Sequence, residues 1–195
     1  MAKRSGSDRR GGRRSPDTLR LFVAAYPQAR VVDRLFEETA RLELPPHRPL
    51  PADQVHLTTW FIGETDRGEV GRIEESVARA GAAISPMTVV PDRLVTLPAR
   101  GPARLIAAAA PCPSALEELH QRLRTRLART ERVGKPFLPH LTLLRFSPPQ
   151  RGLKVDRELQ GVEFEITSLR LVRSDLLSTG ARHQTVSEIP LAGRR

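Results

Sequence analysis

A single cysteine, Cys112, is all that the 195 residues offer as a thiol. One thiol excludes an intrachain disulfide and a cysteine metal cage. Its position between Pro111 and Pro113 suits a structural turn better than a nucleophile. Aromatic residues are scarce too, 4% within a hydrophobic share of 39%, so the core has to rest mainly on Leu, Val and Ala. No run approaches the roughly 20 apolar residues of a membrane-spanning helix, and no apolar signal segment follows the basic start. HExxH-like pairs, a Gly-x-Ser-x-Gly elbow and a phosphate-binding Gly-rich loop with Lys are all missing. Acidic residues are outnumbered, 22 against 32 Lys and Arg, for a formal charge of +10.

That excess predicts affinity for polyanions, nucleic acid first and acidic membrane surfaces second. Residues 1–17 concentrate it: Lys3, Arg4, Arg9, Arg10, Arg13 and Arg14 face only Asp8 and Asp17. Beyond Met1 and Ala2 this segment has no apolar side chain, so burial cannot offset its ordering entropy. A disordered basic tail over 1–17 is expected, followed by one domain over 18–195.

Within that domain one signature occurs twice: His56-Leu57-Thr58 and His140-Leu141-Thr142. A lone His-x-Thr triplet means little, whereas two with the same central Leu, each in a strand-like apolar run, point to an internal duplication. Side chains two apart on a strand share a face, so each motif presents one imidazole and one hydroxyl together. Strict alternation puts Trp60 and Ile62 with His56, and sets Arg145 opposite His140, Thr142 and Leu144. With ordinary pKa values near 6.5, one imidazole can stand neutral as base while the other is protonated as acid. Such pairs suit phosphate chemistry, with threonine hydroxyls donating to the non-bridging oxygens. His47 in the proline loop and His120 on a helix read as surface or boundary residues.

Thr18 to Ala25 reads as an opening strand ended by Tyr26-Pro27, with a helix from Gln28 to Leu42. Pro45, Pro46, Pro49 and Pro51 then predict a stiff irregular loop. A second helix spans Arg67 to Ala80 with Gly81 as its stop. Strands Met87 to Leu97 and Arg104 to Ala110 form a hairpin about Arg100-Gly101-Pro102. Ser114 to Glu117 reads as a capping box opening a helix to Thr130 with a Leu116, Leu119, Leu123, Leu127 stripe. A polar loop from Ser147 to Leu159 precedes strands Val162 to Arg173 and His183 to Leu191. This order predicts a two-lobed α+β fold with mainly antiparallel sheets flanked by helices.

At these residues the chain resembles the two-histidine phosphoesterase superfamily, specifically its bacterial RNA 2′,3′-cyclic phosphodiesterases, also described as 2′-5′ RNA ligases. The resemblance runs from Leu19-Arg20-Leu21-Phe22-Val23-Ala24 through Val55 to Thr58, Phe61 to Glu64, Pro136 to Leu143 and Arg145, closing with Arg173-Ser174 and Gly180-Ala181-Arg182. It implies two pseudo-symmetric lobes with a central cleft, one His-x-Thr strand from each lobe. It also implies cyclic phosphodiester hydrolysis without metal or cofactor, reversible as 2′-5′ ligation. His56 is then the acid that protonates the 3′ oxygen and His140 the base, an assignment that pseudo-symmetry makes reversible. Thr58, Thr142 and Arg145 would hold the phosphate.

The residue five after each histidine, Phe61 and Arg145, would also reach the site, which requires a bulge or strand end. Many relatives carry Arg at Trp60, Arg or Lys at Leu138 and an aromatic at His183. Trp60 is a candidate for stacking on a base, Lys135 for restoring lost charge and His183 for reaching the ligand. The expected partner is RNA with 2′,3′-cyclic phosphate ends, handled by a cytoplasmic monomer with no membrane contact. Two alternatives remain: the same site acting on a small cyclic nucleotide or ADP-ribose cyclic phosphate, and a non-catalytic RNA-binding protein.

Overall fold

A computed structural model of the chain describes residues 17–128, 136–177 and 180–193. The basic segment 1–16 and Lys135, both named above, lie outside the described residues. The first half holds β1 (Thr18–Ala25), α1 (Ala29–Ala40), β2 (Arg48–Pro49), β3 (Leu57–Asp66) and α2 (Val70–Gly81). After it come β4 (Met87–Val89), β5 (Arg93–Leu97), β6 (Ala103–Ala109), α3 (Ser114–Leu127) and β7 (His140–Gln150). The chain closes with β8 (Asp156–Glu158), β9 (Phe164–Ile166), β10 (Ser168–Leu177) and β11 (Gly180–Pro190). The result is an α+β fold dominated by antiparallel pairing, as expected.

The main sheet runs β11-β10-β1-β3-β7-β6-β5-β8, with β2 added alongside β7, while β4 and β9 form a separate pair. Two four-strand groups therefore meet at β3 and β7, the two motif strands. The leucine stripe of α3 is buried in full, at Leu116, Leu119, Leu123 and Leu127, each side chain contributing roughly 2 kcal/mol of apolar burial. Helix α3 follows β6 in the chain but packs on β3, whereas α1 follows β1 and packs on β7. Each motif strand is thus covered by a helix from the other half of the sequence. Among the described residues no helix is long and apolar enough to cross a membrane.

Several local expectations need correction. The strand foreseen over Met87 to Leu97 is two: Pro91 interrupts it, β4 leaves to pair β9, and β5 joins the main sheet. Val162 to Arg173 likewise divides into β9 and β10. Within the proline loop, Arg48 and Pro49 pair with β7, an edge position where a missing N–H does no harm. The polar stretch after Phe146 continues β7 to Gln150 and then forms β8, tied to β5 by an Arg93 to Asp156 hydrogen bond of 2.6 Å.

The capping box is absent because Ser114 is already helical. Pro113 is the N-cap, and its carbonyl accepts from the Leu116 and Glu117 amides at 2.9 and 3.0 Å. Nor does Gly81 end α2 through a left-handed conformation; Ala83 takes that role at φ 64°. Gly81 is small for packing instead, since a Cβ there would lie 3.3 Å from Leu191 Cδ2.

Candidate active site

Strands β3 and β7 pair at one position, Leu57 opposite Leu141, the central residues of the two triplets. Both leucines are 1% exposed and point into the core. Their neighbours therefore face the other way, and antiparallel register sets His56 opposite Thr142 and Thr58 opposite His140. Each imidazole stands across from the other motif's hydroxyl.

Each motif strand carries a bulge directly after its threonine. Ala24 pairs with Thr58 but Val23 with Trp60, leaving Thr59 as the extra residue. Ala107 pairs with Thr142 but Ile106 with Leu144, leaving Leu143 extra. An inserted residue reverses the phase of everything beyond it. Arg145 consequently turns to the side of His140 and Thr142, while Leu143 and Leu144 are both buried. Strict alternation, which set Leu144 on the histidine face and Arg145 away from it, is wrong here for this reason.

A cleft of about 390 Å³ opens over the junction, lined by His56, Thr58, His140, Thr142, Arg145 and His183. His56 Nδ1 lies 2.7 Å from the Gln54 carbonyl, and His140 Nδ1 lies 2.8 Å from the Leu138 carbonyl. Because a carbonyl only accepts, each Nδ1 carries the hydrogen and leaves Nε2 for a ligand. Phe22, Tyr26 and His183 surround the His56 ring at centroid distances of 4.9, 5.5 and 5.1 Å. That burial pushes the His56 pKa down to about 4, against the support of the Gln54 carbonyl; repulsion from His183, His140 and Arg145 adds to the fall. His183 is also lowered, by burial first and by Arg145 second, with Asp53 opposing. Among the described residues its buried Nδ1 has no hydrogen-bond partner.

A second chamber, about 710 Å³, adjoins the first and shares Thr58 and His140 with it. Its walls include Trp60, Phe61, His120, Phe137 and Leu138. Trp60 does not share the His56 face, because the bulge at Thr59 turns it toward His120, 5.3 Å away between centroids. Phe61, 50% exposed under the Arg20 guanidinium, borders this chamber rather than the histidine cleft. His120 is a boundary residue, stacked on Phe137 at 4.1 Å, and His47 is exposed. Among the described residues no group of three or more His, Cys, Asp or Glu side chains is placed to hold a metal ion.

Residues 26–176 match the model of the 2′-5′ RNA ligase superfamily. The chain belongs to this superfamily of two-histidine phosphoesterases. Among curated members, an RNA 2′,3′-cyclic phosphodiesterase of Thermus thermophilus is 28% identical over 185 residues, covering 90% of this chain and 91% of the relative. The crystal structure of TT0787 of Thermus thermophilus superposes with a TM-score of 0.77 at 26% identity, covering 91% of this chain and all of that one. E. coli LigT complexed with 3′-AMP shares the fold, with a TM-score of 0.74 at 24% identity over 89% of this chain and 98% of its own.

Within this two-histidine phosphoesterase, some of the cleft carried no local signal. Arg48 lies in the proline loop, Arg182 at the start of a hairpin return and Tyr26 at a strand end, yet all three adjoin the histidines or their cleft. Only long-range pairing brings them there: β2 sets Arg48 directly opposite Arg145, and β11 follows β10 back across the sheet. Arg182 was legible as part of the family resemblance, and Arg48 was not.

Proposed function

We propose that this two-histidine phosphoesterase hydrolyses 2′,3′-cyclic phosphodiester ends of RNA to 2′-phosphomonoesters, with His56 and His140 as its proton-transfer pair. The observation that carries the reading is the matched locking of both imidazoles, each Nδ1 hydrogen-bonded to the carbonyl two residues back and both lining one cleft. Water adds to phosphorus while the bond from phosphorus to the 3′ oxygen breaks. One imidazole takes the proton of the water as the other gives its own to the departing 3′ oxygen, so the pair holds one proton before and after. His56 serves as acid and His140 as base. Burial keeps His56 neutral in the free protein, so its proton arrives as the anionic phosphodiester offsets the nearby positive charge.

Thr58 and Thr142 donate to the non-bridging oxygens and Arg145 balances their growing charge. His183, edge-on to His56 at 5.1 Å, contacts the ligand beside it, and Phe61 and Trp60 in the adjoining chamber flank the nucleoside. The name of the Thermus relative supports the substrate class, and the excess of basic residues suits a polyanion. Joining of RNA ends through a 2′-5′ bond uses the same pair, with the 5′ hydroxyl of a second RNA attacking phosphorus in place of water as the bond to the 3′ oxygen breaks.

The test is incubation of the purified chain, in EDTA, with a short RNA ending in a 2′,3′-cyclic phosphate. Formation of the 2′-phosphate is expected, and its loss in His56→Ala and His140→Ala. Preference for mononucleoside or ADP-ribose cyclic phosphates would move the assignment to a small substrate, and salt-sensitive RNA binding without turnover would make the protein a binding module.

A further inference from the structure

A cyclic phosphodiester carries one negative charge, yet the histidine cleft is lined by three arginines, Arg48, Arg145 and Arg182. Its described lining contains no carboxylate. Among the described residues none of the three arginines forms an ion pair. Asp53 lies near enough to act on His183 but does not line the cleft. Asp175, opposite Arg182 in the β10–β11 hairpin, is engaged by Arg173 at 2.9 Å. Arg48 and Arg145 are directly opposite across a strand pair, an arrangement that costs stability when both carry the same charge.

The exposed Arg48 side chain lies over Gly180. A Cβ on Gly180 would lie 3.2 Å from its Nη1 and 3.4 Å from its Cζ, so the guanidinium occupies space that any other residue there would need. Gly180 also has φ 127°, a conformation open to glycine. The hairpin that brings Arg182 and His183 into the cleft thereby also sets Gly180 beside the Arg48 guanidinium. Repelling cations kept together in this way constitute a site for a second anion.

We propose that Arg48 and Arg182, with Arg145 at the boundary, form a second phosphate subsite that takes the phosphate on the 5′ oxygen of the nucleotide whose 2′,3′ end is processed. This rests on the reading of the histidine cleft as a cyclic phosphodiester site, and it narrows the substrate to nucleotides phosphorylated at the 5′ position. Two sources supply that group: the internucleotide phosphodiester of an RNA chain, or the terminal phosphate of a single nucleotide.

Equilibrium binding of product analogues tests it without dependence on turnover. Calorimetry at fixed ionic strength compares adenosine 2′-monophosphate, adenosine 2′,5′-bisphosphate and a dinucleotide with a 2′-phosphate on its 3′-terminal adenosine. The bisphosphate, the dinucleotide or both should bind on the order of tenfold more tightly than the monophosphate. Arg48→Gln and Arg182→Gln should each remove most of that advantage, while Arg48→Lys should retain part of it. A larger gain for the dinucleotide assigns the subsite to RNA, and a larger gain for the bisphosphate assigns it to a free 5′ phosphate.

Equal affinities for all three ligands in the unaltered protein would overturn the subsite, as would an advantage that survives in the Arg48→Gln/Arg182→Gln double variant. Cyclic phosphate hydrolysis is assayed in parallel. Hydrolysis with equal affinities leaves the reaction assignment standing and removes the subsite, whereas a tenfold advantage without hydrolysis does the reverse.

Discussion

The two motif strands are built by one local recipe and end in different surroundings. Both imidazoles donate from Nδ1 to a carbonyl two residues back, and both strands bulge directly after the threonine. Around His56, however, Phe22, Tyr26 and His183 close in, whereas His140 stands at the start of β7 where the two chambers meet. Five residues on, one strand presents Phe61 and the other Arg145. Repetition fixes orientation, then, and the flanking strands make the two copies chemically unequal: an apolar half suited to a nucleoside and a cationic half suited to phosphate.

If the inequality assigns the chemistry, removing either histidine has the largest effect. His56→Ala and His140→Ala should each lower kcat at least about a hundredfold. Their residual activities should differ in pH dependence. Without the acid His56, turnover should rise with pH because only the base remains; without the base His140, it should fall because only the acid remains. Reversed slopes in both variants would exchange the two roles.

The difference in burial has its own readout. Unfolded, His56 titrates near 6.5; folded, near 4. Between those values the unfolded chain binds the additional proton, so stability should fall as pH drops through that interval, by up to about 3 kcal/mol. His183, lowered in the same direction, adds to the slope. Urea unfolding at several pH values should show the decline, and His56→Gln should flatten it; an unchanged slope in that variant would mean that His56 is not the group responsible. Because kcat/KM reports the free enzyme, its acidic limb should lie near pH 4, where His56 takes up the second proton of a pair that works with one.

The smallest contrast lies between Phe61 and Arg145. Arg145→Gln should cost about tenfold to fiftyfold, mainly in kcat, because the guanidinium meets charge that grows in the transition state. Phe61→Leu should cost about fivefold, confined to KM, as lost stacking on a bound base does. Equal splits of kcat and KM in the two variants would show that these halves of the cleft do not divide the work.

Much of this was legible from residue order alone. Thr18 to Ala25 needed only an apolar run closed by Tyr26-Pro27, and α3 only its four leucines at helical spacing, because such elements answer to local periodicity. The paired motifs and their outward faces followed from two-residue alternation around Leu57 and Leu141. Beyond the threonines alternation failed, since a bulge is a property of two paired strands and leaves no mark on one of them. Alternation alone misplaced Trp60 and Arg145 for that reason, although the family resemblance had asked for a bulge that would bring Arg145 to the site, and Ser114 was misread because a neighbouring proline took the cap.

By itself, then, the sequence determined the α+β class, the two His-x-Thr strands and the family that they denote, all of which rest on side-chain pattern over a few residues. Only the tertiary structure decided that His56 is the enclosed histidine, that Arg145 turns into the cleft and that Arg48 and Arg182 join it there. Burial and the meeting of like charges depend on segments far apart in the chain, and their energies exist only once β2, β7 and the β10–β11 hairpin converge on one cleft.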